Sequence, residues 1–203
     1  QEVSYIDYEY IKSQKESLLR KASQAFFYKK KEEKDFKKFQ KENKFWLEDY
    51  ALFLTLNKKF KGKMWNTWQK EYKFREKKFI EEAKKTYQEE YLYESFIQYY
   101  FQKQWKQLKN YANKKGIKII GDLPIYVATH SADTWQNPKL FCFDKHLKIK
   151  LVAGCPPDYF SKTGQLWGNV LYNWKEMKKN DYSWWINRIK HSFLLYDILR
   201  LDH

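Results

Sequence analysis

Apolar residues recur every three or four positions through the first half of the chain, a spacing that predicts helices. Residues 9–41 are polar and Lys/Glu-rich, interrupted by Leu18, Leu19, Phe26, Phe27, Phe36 and Phe39, which predicts an exposed helix or helix pair. Residues 43–56, NKFWLEDYALFLTL, predict a more buried helix with Asn43 as its cap. Residues 62–69, GKMWNTWQ, read as a turn anchored by two tryptophans. Residues 71–115 predict one or two long helices, with Phe96, Ile97, Tyr100, Phe101, Trp105, Leu108 and Ala112 on one face and Gly116 as the stop. The pattern then changes. IKIIGDLPIYV, residues 117–127, is a short apolar run followed by an acidic residue, as in a parallel strand buried on both faces. Tyr182, Trp185, Ile186, Ile189 and Phe193 return to helical spacing, with Asn180 or Asp181 as cap. LLYDILRLDH, residues 194–203, predicts a second strand.

Turn residues are distributed just as unevenly. All four prolines, and every glycine except Gly62, lie from Gly116 onward. The chain therefore divides into a mostly helical region, 1–115, and an α/β region, 116–203, with a long loop segment at 128–181. A segment of that length with few regular elements is usually functional or disordered, and its tryptophans, tyrosines and prolines argue against disorder.

Composition narrows the class. Aromatic residues make up 20% of the 203 residues, enough for a sizeable core. No apolar stretch is long enough to span a bilayer. Two cysteines, Cys142 and Cys155, make neither a disulfide framework nor a zinc site, which suits a reducing, cytoplasmic setting. The net charge of +15 raises the question of a nucleic-acid partner, but the lysines are scattered and no helix-turn-helix, zinc-finger or RNP pattern accompanies them. No membrane or nucleic-acid partner is therefore expected.

Two stretches carry candidate chemistry. On a strand, Arg200 and Asp202 share one face. An arginine beside an aspartate keeps it ionised, the state a glycosidase nucleophile requires; a structural ion pair at a strand end fits the same spacing. In AGCPPDYFSKTGQLWGN, residues 153–169, Tyr159, Phe160 and Trp167 offer rings to the apolar faces of sugars, while Asp158, Gln165 and Asn169 offer hydrogen bonds to hydroxyls. A self-packed surface loop is the alternative. Asp122 ends the first strand, at the same sheet edge as Asp202 if the strands are parallel. His130, His146 and His191 have no metal-ligand spacing.

These stretches, together with FWLEDYALF, WNTWQ, QYYFQKQWKQLKNYANKKGIKIIGDLPIYVA, SADTWQNPKLF and LRLDH, resemble the amylomaltases, the 4-alpha-glucanotransferases of the alpha-amylase superfamily. The resemblance covers most of residues 45–203 and is looser over 1–44. It implies an α/β fold, part of a TIM (β/α)8 barrel with helical insertions and incomplete at both ends. It also implies retaining transfer of alpha-1,4-glucan segments between maltooligosaccharides, with no organic cofactor and typically no metal. By the same resemblance Asp202 is the nucleophile and Arg200 the arginine that orients it. His203 and Asp122 match residues of the family's site, and Asp158, Gln165 and Trp167 fall in the loop that closes over glucan. Val170, His130 and Cys155 depart from the family pattern. The family's general acid/base lies on a later strand, so the resemblance implies an internal fragment that is inactive alone. A hydrolase of the same superfamily and a noncatalytic glucan-binding remnant are the other readings.

Overall fold

The computed structural model describes residues 6–30 and 32–201. Helices α1 (Tyr8–Lys29) and α2 (Glu33–Glu42) form the expected helix pair, and the Asp7 side chain caps α1 by accepting from Tyr10 N–H at 2.9 Å. Their apolar residues pack on the next two long helices, α3 (Lys44–Lys59) and, further along, α6 (Gln88–Lys114). Phe36, Phe39, Leu47 and Tyr99 form the buried centre of this contact, with Phe26 packed against it.

Asn43 sits at the N-terminus of α3, as the sequence suggests, but it does not cap through its side chain. Nδ2 donates back to Phe39 O at 2.9 Å, and Oδ1 accepts from the Trp46 indole at 3.1 Å. The reason is burial. Asn43 joins α2 directly to α3, and its side-chain amide donates to one of the last carbonyls of the first helix, Phe39 O, instead of capping the first amides of the second.

The interior of α3 is the middle of the molecule. Ala51, Leu52 and Leu56 are fully buried, and Leu52 and Leu56 cluster with Trp65 and Trp68 of the short 3-10 turn Trp65–Thr67 and its flank. Helices α4 (Lys70–Lys73) and α5 (Lys77–Thr86) close this side, with Ile80 and Ala83 turned inward. Trp135, from the second half of the chain, belongs to the same cluster, so the helical and α/β regions share a core. Along α6, Phe96 is buried and Tyr99 joins it, whereas Phe101 and Leu108 of the predicted face are exposed.

Gly116 ends α6 as expected. With φ +75° it places its own N–H on Asn113 O and the Ile117 N–H on Ala112 O, which is the Schellman arrangement. Strand β1 (Ile120–Leu123) follows. It is shorter than 117–127 and buried on one side only: Gly121 and Leu123 face inward, while Ile120 and Asp122 are exposed. One strand, β4 (Ile198–Leu201), pairs with it, in parallel register.

Between them the chain forms α7 (Ala132–Gln136), the antiparallel strands β2 (Val152–Cys155) and β3 (Gln165–Val170), α8 (Trp174–Lys179) and α9 (Ser183–Leu195). Two boundaries differ from expectation. The N-cap of α9 is Tyr182, in the left-handed region with no side-chain cap bond, because residues 180–182 turn back on the end of α8 and Tyr182 N–H bonds Met177 O. The second strand starts at Ile198, not Leu194. Leu194 and Leu195 extend α9, whose end is held by the Trp105 indole on Leu195 O at 2.8 Å.

Gly121 lies under the ring of Tyr196. A Cβ there would meet ring carbons at 2.1–2.5 Å. Gly121→Ala is expected to destabilise the fold by about 1–3 kcal/mol, from overpacking, read as a lower urea midpoint; an unchanged midpoint would contradict the close packing.

Candidate functional site

The β1–β4 pair fixes the first part of the site. In its register Asp122 stands opposite Arg200, and Oδ2 of Asp122 lies 3.4 Å from Nη1 of Arg200. Both side chains are more than half exposed, so the pair contributes at most about 1 kcal/mol to folding. Asp202 and His203 lie outside the described residues. Alternation puts Leu123 on the opposite face from Asp122, and Leu123 is buried there.

The start of β4 is clamped from α6. Asp197 accepts from Ile119 N–H at 2.9 Å and from Asn113 Nδ2 at 2.8 Å, and Lys109 Nζ lies 3.4 Å away. These contacts, the backbone N–H first, hold the Asp197 carboxyl below its ordinary range. Lys109 also donates to Tyr196 O at 2.9 Å. A rigid entry of this kind sets where Arg200 emerges.

The second part is the β2–β3 hairpin. Its base is tied to the segment that leaves β1. Asn169 Nδ2 donates to Val127 O at 2.9 Å, Thr129 Oγ1 accepts from Val170 N–H at 3.0 Å, and the Trp167 ring lies 6.2 Å from that of Tyr126. Gln165 Oε1 accepts from the Trp167 indole at 3.1 Å. Val170, one of the departures from the family pattern, is fully buried, and Cys155 ends β2 opposite Gln165.

At the hairpin tip one oxygen of Asp158 braces the turn. Its Oδ1 accepts from Phe160 N–H and Ser161 N–H, at 3.0 and 2.8 Å, so that oxygen is spent on the turn. Gly164 completes the turn at φ +75°, where a Cβ would meet Cys155 O at 2.6 Å. The result is presentation. Tyr159 and Phe160, edge to face at 5.7 Å, are 97% and 87% exposed. Two rings held bare in water at the end of a braced turn suit stacking on an apolar ligand face.

The structure thus joins Asp122 to Arg200, and gathers Gln165, Trp167 and Asn169 on one strand rooted beside the end of β1. Asp158 and Tyr159 stand at the tip of the same hairpin. Among the described residues no three His, Cys, Asp or Glu side chains gather as a metal site, and no helix is long and apolar enough to cross a membrane.

Two supporting residues escaped the sequence pattern. Thr129 holds the hairpin base, and Arg188 donates to Pro124 O at 2.8 Å, fixing the turn after β1. A cation among Trp184 and Trp185 on an otherwise apolar helix face was the available signal for Arg188.

His130, another departure, is a structural residue. Nδ1 accepts from Trp65 N–H at 3.2 Å and Nε2 lies 2.9 Å from Asn57 Oδ1, an arrangement that requires neutral imidazole. Burial lowers the pKa of both His130 and His191. The unfolded chain then binds more protons than the folded one once pH drops below about 6.5. Stability present above that pH is expected to be lost as pH falls through the lowered values. The urea midpoint of the wild type should fall between pH 7.5 and 5.5, and fall less in His130→Gln; equal slopes would remove His130 from the account.

A family model described as 4-alpha-glucanotransferase matches residues 1–203. The 4-alpha-glucanotransferase of Clostridium butyricum is 49% identical over 199 residues, aligning 98% of this chain with 40% of its own length. That of Aquifex aeolicus is 45% identical over 196 residues, 97% of this chain and 39% of its own. Among solved structures, amylomaltase from Streptococcus agalactiae in complex with acarbose superposes with a TM-score of 0.93 at 39% identity, covering 98% of this chain and 40% of that one. The chain spans about two-fifths of the length of the curated relatives it matches.

Proposed function

We propose, from the premise that the chain belongs to the 4-alpha-glucanotransferase family, that it serves retaining transfer of alpha-1,4-glucan segments between maltooligosaccharides. The observation that carries this reading is the pairing of Asp122 with Arg200 on parallel strands, beside a hairpin that holds Tyr159 and Phe160 bare in solvent. In the proposal Asp202 is the nucleophile and Arg200 keeps it ionised and aimed. Asp122 and His203 bond the sugar held there. Tyr159 and Trp167 stack on glucose rings, and Asp158, Gln165 and Asn169 shape or contact the same groove. Rings that occupy the acceptor side with sugar exclude water, and that exclusion favours transfer over hydrolysis. We infer the fold to be part of a TIM barrel, supported by a parallel strand pair whose connection includes α9. A cytoplasmic setting belongs to the same proposal, supported by two free thiols.

Retaining chemistry needs two carboxylates about 5–5.5 Å apart, one of them a proton donor. Among the described residues the four strands hold a single carboxylate, Asp122, and it is paired with Arg200. The 203-residue chain by itself is therefore proposed to bind maltooligosaccharides without turning them over.

The test uses a chimera in which these 203 residues replace the matching segment of the Clostridium butyricum relative. Incubated with maltotriose, it is expected to give glucose and longer oligomers. A net gain of reducing ends would assign hydrolysis instead, and an inactive but folded chimera that still binds glucan would favour the noncatalytic reading.

A further inference from the structure

A cleft of about 390 Å³ lies between the start of α3, the α7 segment and α9, in the size range of small-molecule sites. Leu123 forms part of its floor. Asp122 projects from the other face of the same strand, so the sheet separates this cleft from the Asp122–Arg200 pair.

Its walls are not those of a packing defect. Voids left between helices are apolar and dry. Here Trp46, Phe45 and Trp184 share the lining with the amides of Gln136, Asn180 and Asn187. Asn180 and Asn187 are exposed and Gln136 is half-buried, and no hydrogen bond to another described side chain or carbonyl occupies their side-chain amides. His191 also lines the cleft, its ring 5.2 Å from that of Trp46, and its Nδ1 is buried with no partner. Buried polar atoms are almost always bonded, to protein or to ordered water, so this nitrogen is open to a partner from outside the chain.

Charge selects the ligand class further. The two ions at the cleft are opposite in sign and already engaged. Arg188 is spent on Pro124 O and the Tyr172 hydroxyl, and burial raises the pKa of the Asp133 carboxyl against the opposing charge of Arg188. No spare cation awaits a phosphate. Ring faces beside unengaged amides suit a neutral molecule with one apolar face and many hydroxyls.

We propose that this cleft is a second, noncatalytic saccharide site that takes one or two glucose units of an alpha-glucan. That the sugar is an alpha-glucan rests on the proposed function; the neutral, polyhydroxylated class does not. The cleft holds a chain end on the far side of the sheet from the transfer site.

The experiment titrates maltotriose into the 203-residue chain, followed by calorimetry and by the fluorescence of the cleft tryptophans. The background variant is Tyr159→Ala/Phe160→Ala, which removes the hairpin rings. Saturable binding is expected to persist in that background. Asn187→Ala and Gln136→Ala are each expected to weaken it about fivefold, the loss of one hydrogen bond. Asn187 is exposed on a helix, where alanine is well tolerated, and circular dichroism checks that both variants fold. No saturable binding in the background variant would overturn the proposal, as would unchanged affinity in the Asn187→Ala/Gln136→Ala double variant. Loss of all binding with the hairpin rings would leave the proposed function standing and remove the second site. Binding lost only with the amides would do the reverse.

Discussion

Trp65→Ala is expected to cost about 3–5 kcal/mol, the range for removing a fully buried tryptophan. Trp65 is 0% exposed, and its ring meets Phe143 edge to face at 5.4 Å. Its indole N–H is shared between Thr129 O and Thr134 Oγ1, each at 3.0 Å, and its own backbone N–H reaches His130. One residue thus ties the α3 core to the segment that follows β1 and braces the hairpin. Alanine would leave both a cavity and reduced bonding around Thr129. Trp65→Phe refills part of the volume without the donor and should cost less, about 1–3 kcal/mol. A domain is stable by about 5–15 kcal/mol in all, so the alanine variant should lose much of its cooperative transition in urea. A midpoint near that of the wild type would show that the two halves fold independently.

The same tryptophan marks what a reader of the sequence can see. Trp65 and Trp68 stand out as anchors in a polar turn, and Gly116 stands out as a helix stop because only one other glycine precedes it. The shared face of Asp122 and Arg200 follows from strand alternation once the strands are placed. The end of α9 does not follow, because Leu194 and Leu195 fit a helix or a strand equally well until Trp105 is known to hold Leu195 O. The β2–β3 hairpin is hidden for a related reason. Its strands contain Gly154, Gly168 and Cys155 with no clean alternation, and their position depends on Thr129 and Val127 from another part of the chain. At its tip Tyr159 and Phe160 read as candidate platforms from their type, and both rings are exposed. The turn bonds of Asp158 do not follow from its type, since a carboxylate suited to a sugar hydroxyl is equally suited to two backbone N–H groups.

Replacing Asp202 by asparagine in the chimera with the Clostridium butyricum relative is expected to lower maltotriose disproportionation about 10⁴-fold or more, the scale of losing a nucleophile. Asparagine preserves shape and removes the negative charge that would bond the sugar carbon. Arg200→Leu should cost about 10²- to 10³-fold, the scale of removing one fixed electrostatic partner at a reacting centre. The Arg200 effect can be separated from folding because the Asp122–Arg200 contact is solvent-exposed and worth little to stability. The melting temperature of Arg200→Leu should therefore stay near the parent while its rate collapses. The two losses should also be strongly non-additive. Once Asp202 is gone, removing Arg200 has no ionised carboxylate left to orient, so the double variant should be hardly slower than Asp202→Asn alone. Additive losses would mean that Arg200 acts on the sugar or on Asp122 and not through Asp202. A transfer rate unaffected by Asp202→Asn would remove Asp202 as the nucleophile.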